Sequence, residues 1–187
     1  DCFGGSGTTF KVAKILKRKC IINDLNPVYN FIEKGDSIDF NPGEEIDLLF
    51  CHPPYFNIVK FSKNKKDGSN MKTLFDFVEW FKLIFENINK YIKENGYVVL
   101  VCGNIYLNSE EVELGEILKN IFLFNGYILK FDIIKDYGMR KGNEIRNYNL
   151  NYVRKLRGNY NSFYGDNIFL LHKKKSKNEL NIIYKKS

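Results

Sequence analysis

Residues 1–9 read DCFGGSGTT, three glycines set within four positions ahead of a run of threonines. Gly4, Gly5 and Gly7 give the backbone access to positive φ and remove side chains that would hold a ligand away, so something small is expected to lie close against this loop. The stretch that follows, TTFKVAKILKRK, sets Phe10, Ala13 and Leu16 at helical spacing, with Thr8 or Thr9 near the helix start. The loop therefore feeds a helix, and the rest of the chain decides what kind of sheet it belongs to.

Working outward, CIIND reads as a short buried strand, PVYNFIEKG as a helix opening at Pro27, and IDLLFCHPP as a second buried strand ended by prolines. The longest helical pattern is MKTLFDFVEWFKLIFENINKYIKENG. There Leu74, Phe77, Val78, Phe81, Phe85, Ile88 and Ile92 keep the spacing of a core-facing stripe, and Gly96 is expected to stop the helix. YVVLVCGN follows as a buried strand, ELGEILKNIFLFNG as a helix ending at Gly126, and YILKFDIIKDYG and NIFLLHKKK as two late strands. Strands alternating with helices imply an α/β fold, a doubly wound, mostly parallel sheet covered by helices on both faces.

A chain of 187 residues with 44% hydrophobic and 16% aromatic content suits one sizeable core, so residues 1–187 are expected to form a single domain. The formal charge of +7 is compatible with a polyanionic partner and is weak on its own. Cys2, Cys20, Cys51 and Cys102 stand singly, without the paired spacing of zinc sites or disulfide frameworks, and read as buried thiols in a reducing compartment. No apolar run reaches the length of a membrane span, and a soluble, cytoplasmic protein without a membrane partner or metal is expected. The chain begins at Asp1, and no apolar strand precedes the glycine loop, so a first strand and a preceding helix are expected to be missing from this sequence.

In a doubly wound sheet, ligands sit at the carboxyl ends of the strands. Four chemically loaded loops fall there. After the glycine loop comes NDLNP, where Asp24 lies roughly 20 residues past the glycines, at the place where nucleotide-binding sheets put an acid on ribose hydroxyls. KGDSIDF offers Asp36 and Ser37 to an adenine edge. In CHPPYFN two prolines fix φ and remove two donors, leaving carbonyls free to accept, and Tyr55 offers a flat face to a base. Each has a plainer reading alone: a tight turn, a helix cap, an irregular loop. Together they land at one edge of one sheet.

These residues resemble the S-adenosylmethionine-dependent methyltransferases that modify exocyclic amino groups of adenine or cytosine in DNA. The family's glycine motif matches DCFGGSGTT apart from Cys2, which replaces Pro. Its acid-any-Asn-Pro matches DLNP, and its Asp/Asn/Ser-Pro-Pro-Tyr loop matches HPPY apart from His52. GYVVLVCGN and NIFLLHKKK are similar to later strands of the family, so the resemblance covers most of the chain and implies a Rossmann-like class I methyltransferase fold.

The resemblance implies that the loop from Asp1 to Thr8, with Phe3, Gly5, Ser6 and Gly7, cradles the methionine part of S-adenosylmethionine. Asp24 would hold its ribose, and Asp36 with Ser37 would reach its adenine. The catalytic loop would be His52, Pro53, Pro54 and Tyr55. Its first residue and the Pro53 carbonyl would accept hydrogen bonds from the target amine, and Tyr55 would stack on a base flipped from duplex DNA. A neutral imidazole has one acceptor nitrogen and an ordinary pKa of about 6.5, so His52 can serve only while unprotonated. The plainer reading of His52 is a strand-end histidine bonded to backbone.

Two basic stretches flank this loop. VKFSKNKKDGSNMK carries Lys60, Lys63, Lys65 and Lys66 among small residues and reads as a mobile loop closing on a nucleic-acid backbone. Residues 137–167 interleave Arg140, Lys141, Arg146, Arg154, Lys155 and Arg157 with tyrosines and asparagines, which suits target recognition. The family further implies a restriction-modification setting, with a restriction endonuclease or specificity subunit as partner, or a solitary modifier. RNA as the substrate, or a non-catalytic nucleic-acid-binding subunit, are the alternatives.

Overall fold

The computed structural model describes residues 1–108, 110–136 and 165–174. Its elements run α1 (Thr8–Ile15), β1 (Asn23–Asp24), β2 (Glu33–Lys34), β3 (Ile46–Cys51), α2 (Leu74–Ile88), β4 (Ile92–Cys102), β5 (Ile105–Leu107), β6 (Glu110–Val112), α3 (Leu114–Phe124), β7 (Tyr127–Asp136) and β8 (Gly165–Lys173). The fold is α/β, as expected. The main sheet has the order β3-β4-β8-β7. β3 and β4 are parallel, and β8 enters antiparallel to both neighbours, so the main sheet is mixed where a mostly parallel one was expected. β1 and β2 form a separate short parallel pair.

α2 exists because its sequence supplies both a start and a face. Thr73 accepts from the Asp76 N–H at 3.0 Å while the Asp76 carboxylate accepts from the Thr73 N–H at 3.1 Å, a reciprocal cap that satisfies two otherwise orphaned donors. Phe77, Trp80, Phe81, Ile84, Phe85 and Ile88 are buried. They meet Phe122 of α3 edge-on and the inward residues of the sheet: Leu49, Val98, Leu100, Phe169 and Leu171. Alternation along the strands sends the other set outward, leaving Leu48 at 53%, Phe131 at 60% and Ile133 at 53% exposure.

Two further expectations are corrected. Residues 27–34 form no helix: Glu33 gives its N–H to the Ile22 carbonyl at 2.9 Å, and β2 pairs with β1 instead. So short a segment gains little from helix formation, whereas strand pairing and the stacking of Phe31 on Phe10 at 4.6 Å both reward an irregular path. Gly96 does not stop α2, which ends at Ile88 with Asn89 as its cap. Gly96 lies inside β4, where a Cβ would come within 2.9 Å of Ile92 and 3.3 Å of the Asp47 carbonyl, at a break in the β3–β4 register. α1 forms as expected but buries none of its residues, and Leu16, the last of the three residues set at helical spacing, follows its end at 64% exposure.

Candidate functional site

The glycine loop is held in place by backbone. Gly4 donates to the Asn23 carbonyl at 2.8 Å, Gly7 to the Gly4 carbonyl at 2.8 Å, and the Ser37 hydroxyl to the Cys2 carbonyl at 2.6 Å. Gly5 and Gly7 take positive φ, 49° and 73°. A Cβ on Gly7 would meet the Phe31 ring at 2.7 Å, so that glycine serves packing. A Cβ on Gly5 would find no atom nearer than 4.0 Å, and Gly5 faces a cavity; its openness is room for a ligand.

That cavity, about 540 Å³, is walled by Phe3, Gly5 and Ser6 of the glycine loop, by Asp24, by Asp36 and Ser37, and by all four residues from His52 to Tyr55. Four loops separated by up to 52 positions of sequence thus open on one space. Asp1, Gly7 and Thr8 do not line it: the Asp1 carboxylate accepts from the Phe3 N–H at 2.9 Å, Gly7 packs on Phe31, and Thr8 opens α1. Asp24 accepts from the N–H groups of Gly5 at 2.7 Å and Asn26 at 2.8 Å, tying the glycine loop to the strand and keeping lone pairs for a ligand. Asp36 accepts from the Ile38 N–H and pairs with Lys66 at 3.0 Å.

The His52–Tyr55 turn follows directly from the end of β3. Pro53 is buried and His52 is exposed at the cavity wall. Loss of hydration against the wall pulls the imidazole below its ordinary pKa, opposed by the carboxylate of Asp166 and assisted by Lys135, so the neutral, accepting form prevails at pH 7. Tyr55 is 8% exposed. Its hydroxyl donates to Asp166 at 2.6 Å and accepts from the Gly103 N–H at 3.1 Å, and its ring stands 5.9 Å from that of His52. Beneath the turn, burial holds the Cys51 and Cys102 thiols well above their usual range, and they are neutral packing groups.

The lysine segment after the turn, read from the sequence as a mobile loop, is tied together around Asp67 and a short 3-10 turn, Gly68–Asn70. Buried Asp67 accepts from the N–H and hydroxyl of Ser69 and from the Ser62 hydroxyl, and Gly68 packs under Trp80 so closely that a Cβ would lie 2.5 Å from the indole. Val59, Phe61, Asp67 and Trp80 join the cavity wall. Sequence reasoning missed the three apolar ones because an apolar residue facing a ligand looks like one facing a core, and Asp67 because its partners Ser62 and Ser69 hold it only once the segment has folded. Lys60, Lys63 and Lys65 are exposed outside the cavity, and Lys66 reaches its rim. Arg140, Lys141, Arg146, Arg154, Lys155 and Arg157 lie outside the described residues. No helix among the described residues is long and apolar enough to cross a membrane.

No family model matches this sequence. The type II methyltransferase M.HinfI of Haemophilus influenzae is 28% identical over 134 residues, which cover 67% of this chain and 35% of that protein, so the chain spans about a third of its relative's length. TrmN of Thermus thermophilus shares the fold with a TM-score of 0.51 at 16% identity, over 92% of this chain and 42% of its own. The resemblance to DNA methyltransferases read from residues 1–9, 24–27 and 52–55 is borne out by the first likeness, and the Rossmann-like α/β fold by the second.

Proposed function

We propose, from this kinship and the geometry of the cavity, that the chain is the catalytic part of an S-adenosylmethionine-dependent methyltransferase acting on the exocyclic amino group of adenine or cytosine in DNA. The observation that carries the reading is the meeting of the glycine loop, Asp24, Asp36 and the His52–Tyr55 turn around one cavity of about 540 Å³. That volume lies in the range of small-molecule sites.

The cavity fits the cofactor on its own terms. Gly5 leaves a space that any side chain would fill, and Asp24 and Asp36 supply acceptors for hydroxyls and an amine. S-adenosylmethionine, when bound, supplies an activated methyl group on a positively charged sulfur. The chain's share is alignment and removal of a proton. His52 and the Pro53 carbonyl accept the two N–H bonds of the target amine, which turns the nitrogen lone pair out of conjugation and toward the methyl carbon. The acceptor nitrogen of His52, kept unprotonated by its lowered pKa, would take the surplus proton of the amine. Buried Pro53 and Tyr55 hold this turn against the core and away from water. Lys60, Lys63 and Lys65, with the arginines of residues 137–167, suit phosphate contacts along the duplex.

The test is incorporation of tritiated methyl from S-adenosylmethionine into mixed-sequence duplex DNA and bulk RNA side by side, with nucleoside digestion of the product. Label in DNA that His52→Ala removes, recovered as an N-methylated adenine or cytosine, is the expected result. Label in RNA alone overturns the choice of polymer. No label beside measurable cofactor binding makes the chain a non-catalytic subunit.

A further inference from the structure

β8 runs antiparallel to β4, so it begins at the edge where the parallel strands end. That places Asp166, at its start, beside the turn that follows β3. Asp166 is 5% exposed, a depth at which a carboxylate without a role is costly. Its Oδ1 takes the Tyr55 hydroxyl at 2.6 Å across 111 residues of sequence, and Gly103, from the end of β4, closes the other side of the same hydroxyl at 3.1 Å. Tyr55 in turn packs its ring against His52. The charged groups felt by His52 come from both neighbouring late strands, Asp166 of β8 and Lys135 of β7, with opposite signs.

Resting on the proposed reading of residues 52–55 as the acceptor loop, we propose that Asp166 is a positioning residue for that loop: it anchors the Tyr55 hydroxyl and presents its charge to the His52 imidazole. A tyrosine whose tip is fixed in this way presents one face of its ring to the cavity at one angle. The turn between two prolines and that anchor has little freedom left, and the amine is met by a preformed acceptor pair. Asp166 touches neither cofactor nor base in this scheme and acts through Tyr55 and His52.

The experiment compares the full chain with Asp166→Asn, Asp166→Ala, Tyr55→Phe and the Tyr55→Phe/Asp166→Ala double variant. Three quantities are read: S-adenosylmethionine affinity by calorimetry, kcat and KM for methyl transfer to duplex DNA, and the titration of His52 by NMR. The chain has two histidines, so a His172→Gln background isolates the signal of His52. Asp166→Ala is expected to lower kcat about 100-fold with cofactor affinity unchanged, the scale of a small misplacement at a reacting centre. Asp166→Asn, which keeps an acceptor oxygen for Tyr55, restores kcat to within about fivefold and moves the His52 midpoint down, because the attracting charge is gone. The double variant loses less than the product of the two single losses, since the changes share the Tyr55–Asp166 bond, while Tyr55→Phe also gives up the bond from the Gly103 N–H. Asp166→Ala within about twofold of the parent kcat, Asn no better than Ala, multiplicative losses in the double variant, or an unmoved His52 midpoint each overturns the proposal. Should Asp166→Ala fail to fold, Asp166→Asn and Tyr55→Phe decide it by the same readouts. If the parent chain transfers no methyl, the functional reading has failed, and the His52 midpoint in Asp166→Asn still judges the coupling.

Discussion

Lys66 Nζ stands 3.0 Å from Asp36 Oδ2, so the lysine-rich segment is joined to the acid expected at the adenine end of the cavity. The Asp36 carboxylate raises the Lys66 pKa through a hydrogen bond and charge attraction. Lys66 is 60% exposed and Asp36 only 11%, so the lysine is the partner free to leave. A ligand amine at Asp36 must displace it. Lys66→Ala is therefore expected to tighten S-adenosylmethionine binding about two- to fivefold, the scale of one exposed ion pair, and Asp36→Asn to weaken it. Calorimetry at low and high salt checks this: the gain from Lys66→Ala shrinks as salt screens the pair.

The two positive-φ glycines of the loop fail differently when substituted. Gly5→Val fills open space in the cavity, so cofactor affinity is expected to fall at least tenfold while the melting temperature moves little beyond the cost of φ 49° in an L-residue, about 1–2 kcal/mol. Gly7→Val drives a side chain into Phe31 and is expected to lower stability by more than Gly5→Val does. Denaturant melts beside binding isotherms separate the two.

Methyl transfer is expected to fall on the acid side through a single ionisation. Loss of hydration against the cavity wall holds the folded pKa of His52 below its ordinary value, so the neutral acceptor persists to lower pH than in a free histidine, and kcat/KM drops only as pH falls through that depressed value. Activity stays flat above it until other groups titrate. His52→Asn replaces the imidazole with an acceptor that does not titrate, and its profile is expected to lose this acid limb. A limb that survives the substitution assigns the ionisation elsewhere.

The aromatic face of α2 is expected to carry much of the fold's stability. Phe77 is fully buried, and Phe77→Ala should cost about 3–5 kcal/mol. Thr73→Ala removes one half of the reciprocal cap and should cost about 1 kcal/mol. Leu16→Ser, at a position the helical spacing marks as apolar, should change stability by less than about 0.5 kcal/mol in this chain, because Leu16 is exposed. Urea melts of the three variants check the order.

The elements legible in the sequence are those with local causes. Thr73, Asp76 and the apolar spacing from Phe77 to Ile88 write α2 without help from the rest of the chain, and the loops around Gly5, Asp24, Asp36 and His52 meet because their sheet edge is implied by strand alternation. What escaped notice is held by distant partners. Residues 27–34 follow Ile22 and Asn23 instead of their own spacing, and α2 stops at Ile88 where Lys173, from the far end of β8, donates to the carbonyls of Asn89 and Ile92. Asp166 stayed hidden because a lone acid between glycine and asparagine carries no signal until the reversed strand brings it to Tyr55. Trp80, outside the stripe of α2 expected to face the core, is buried and walls the cavity as well.

The antiparallel course of β8 has a consequence for anyone who would retarget such a protein by exchanging segments. The basic, tyrosine-rich stretch of residues 137–167, which its sequence proposes for target recognition, is on that proposal the piece to transplant between relatives, and its downstream seam falls on the strand that begins at Gly165. A graft cut after residue 166 imports the donor's own residue opposite Tyr55, whereas one cut before it keeps the host's. Two chimeras that differ at a single junction residue would then carry the same foreign segment beside differently fastened His52–Tyr55 turns.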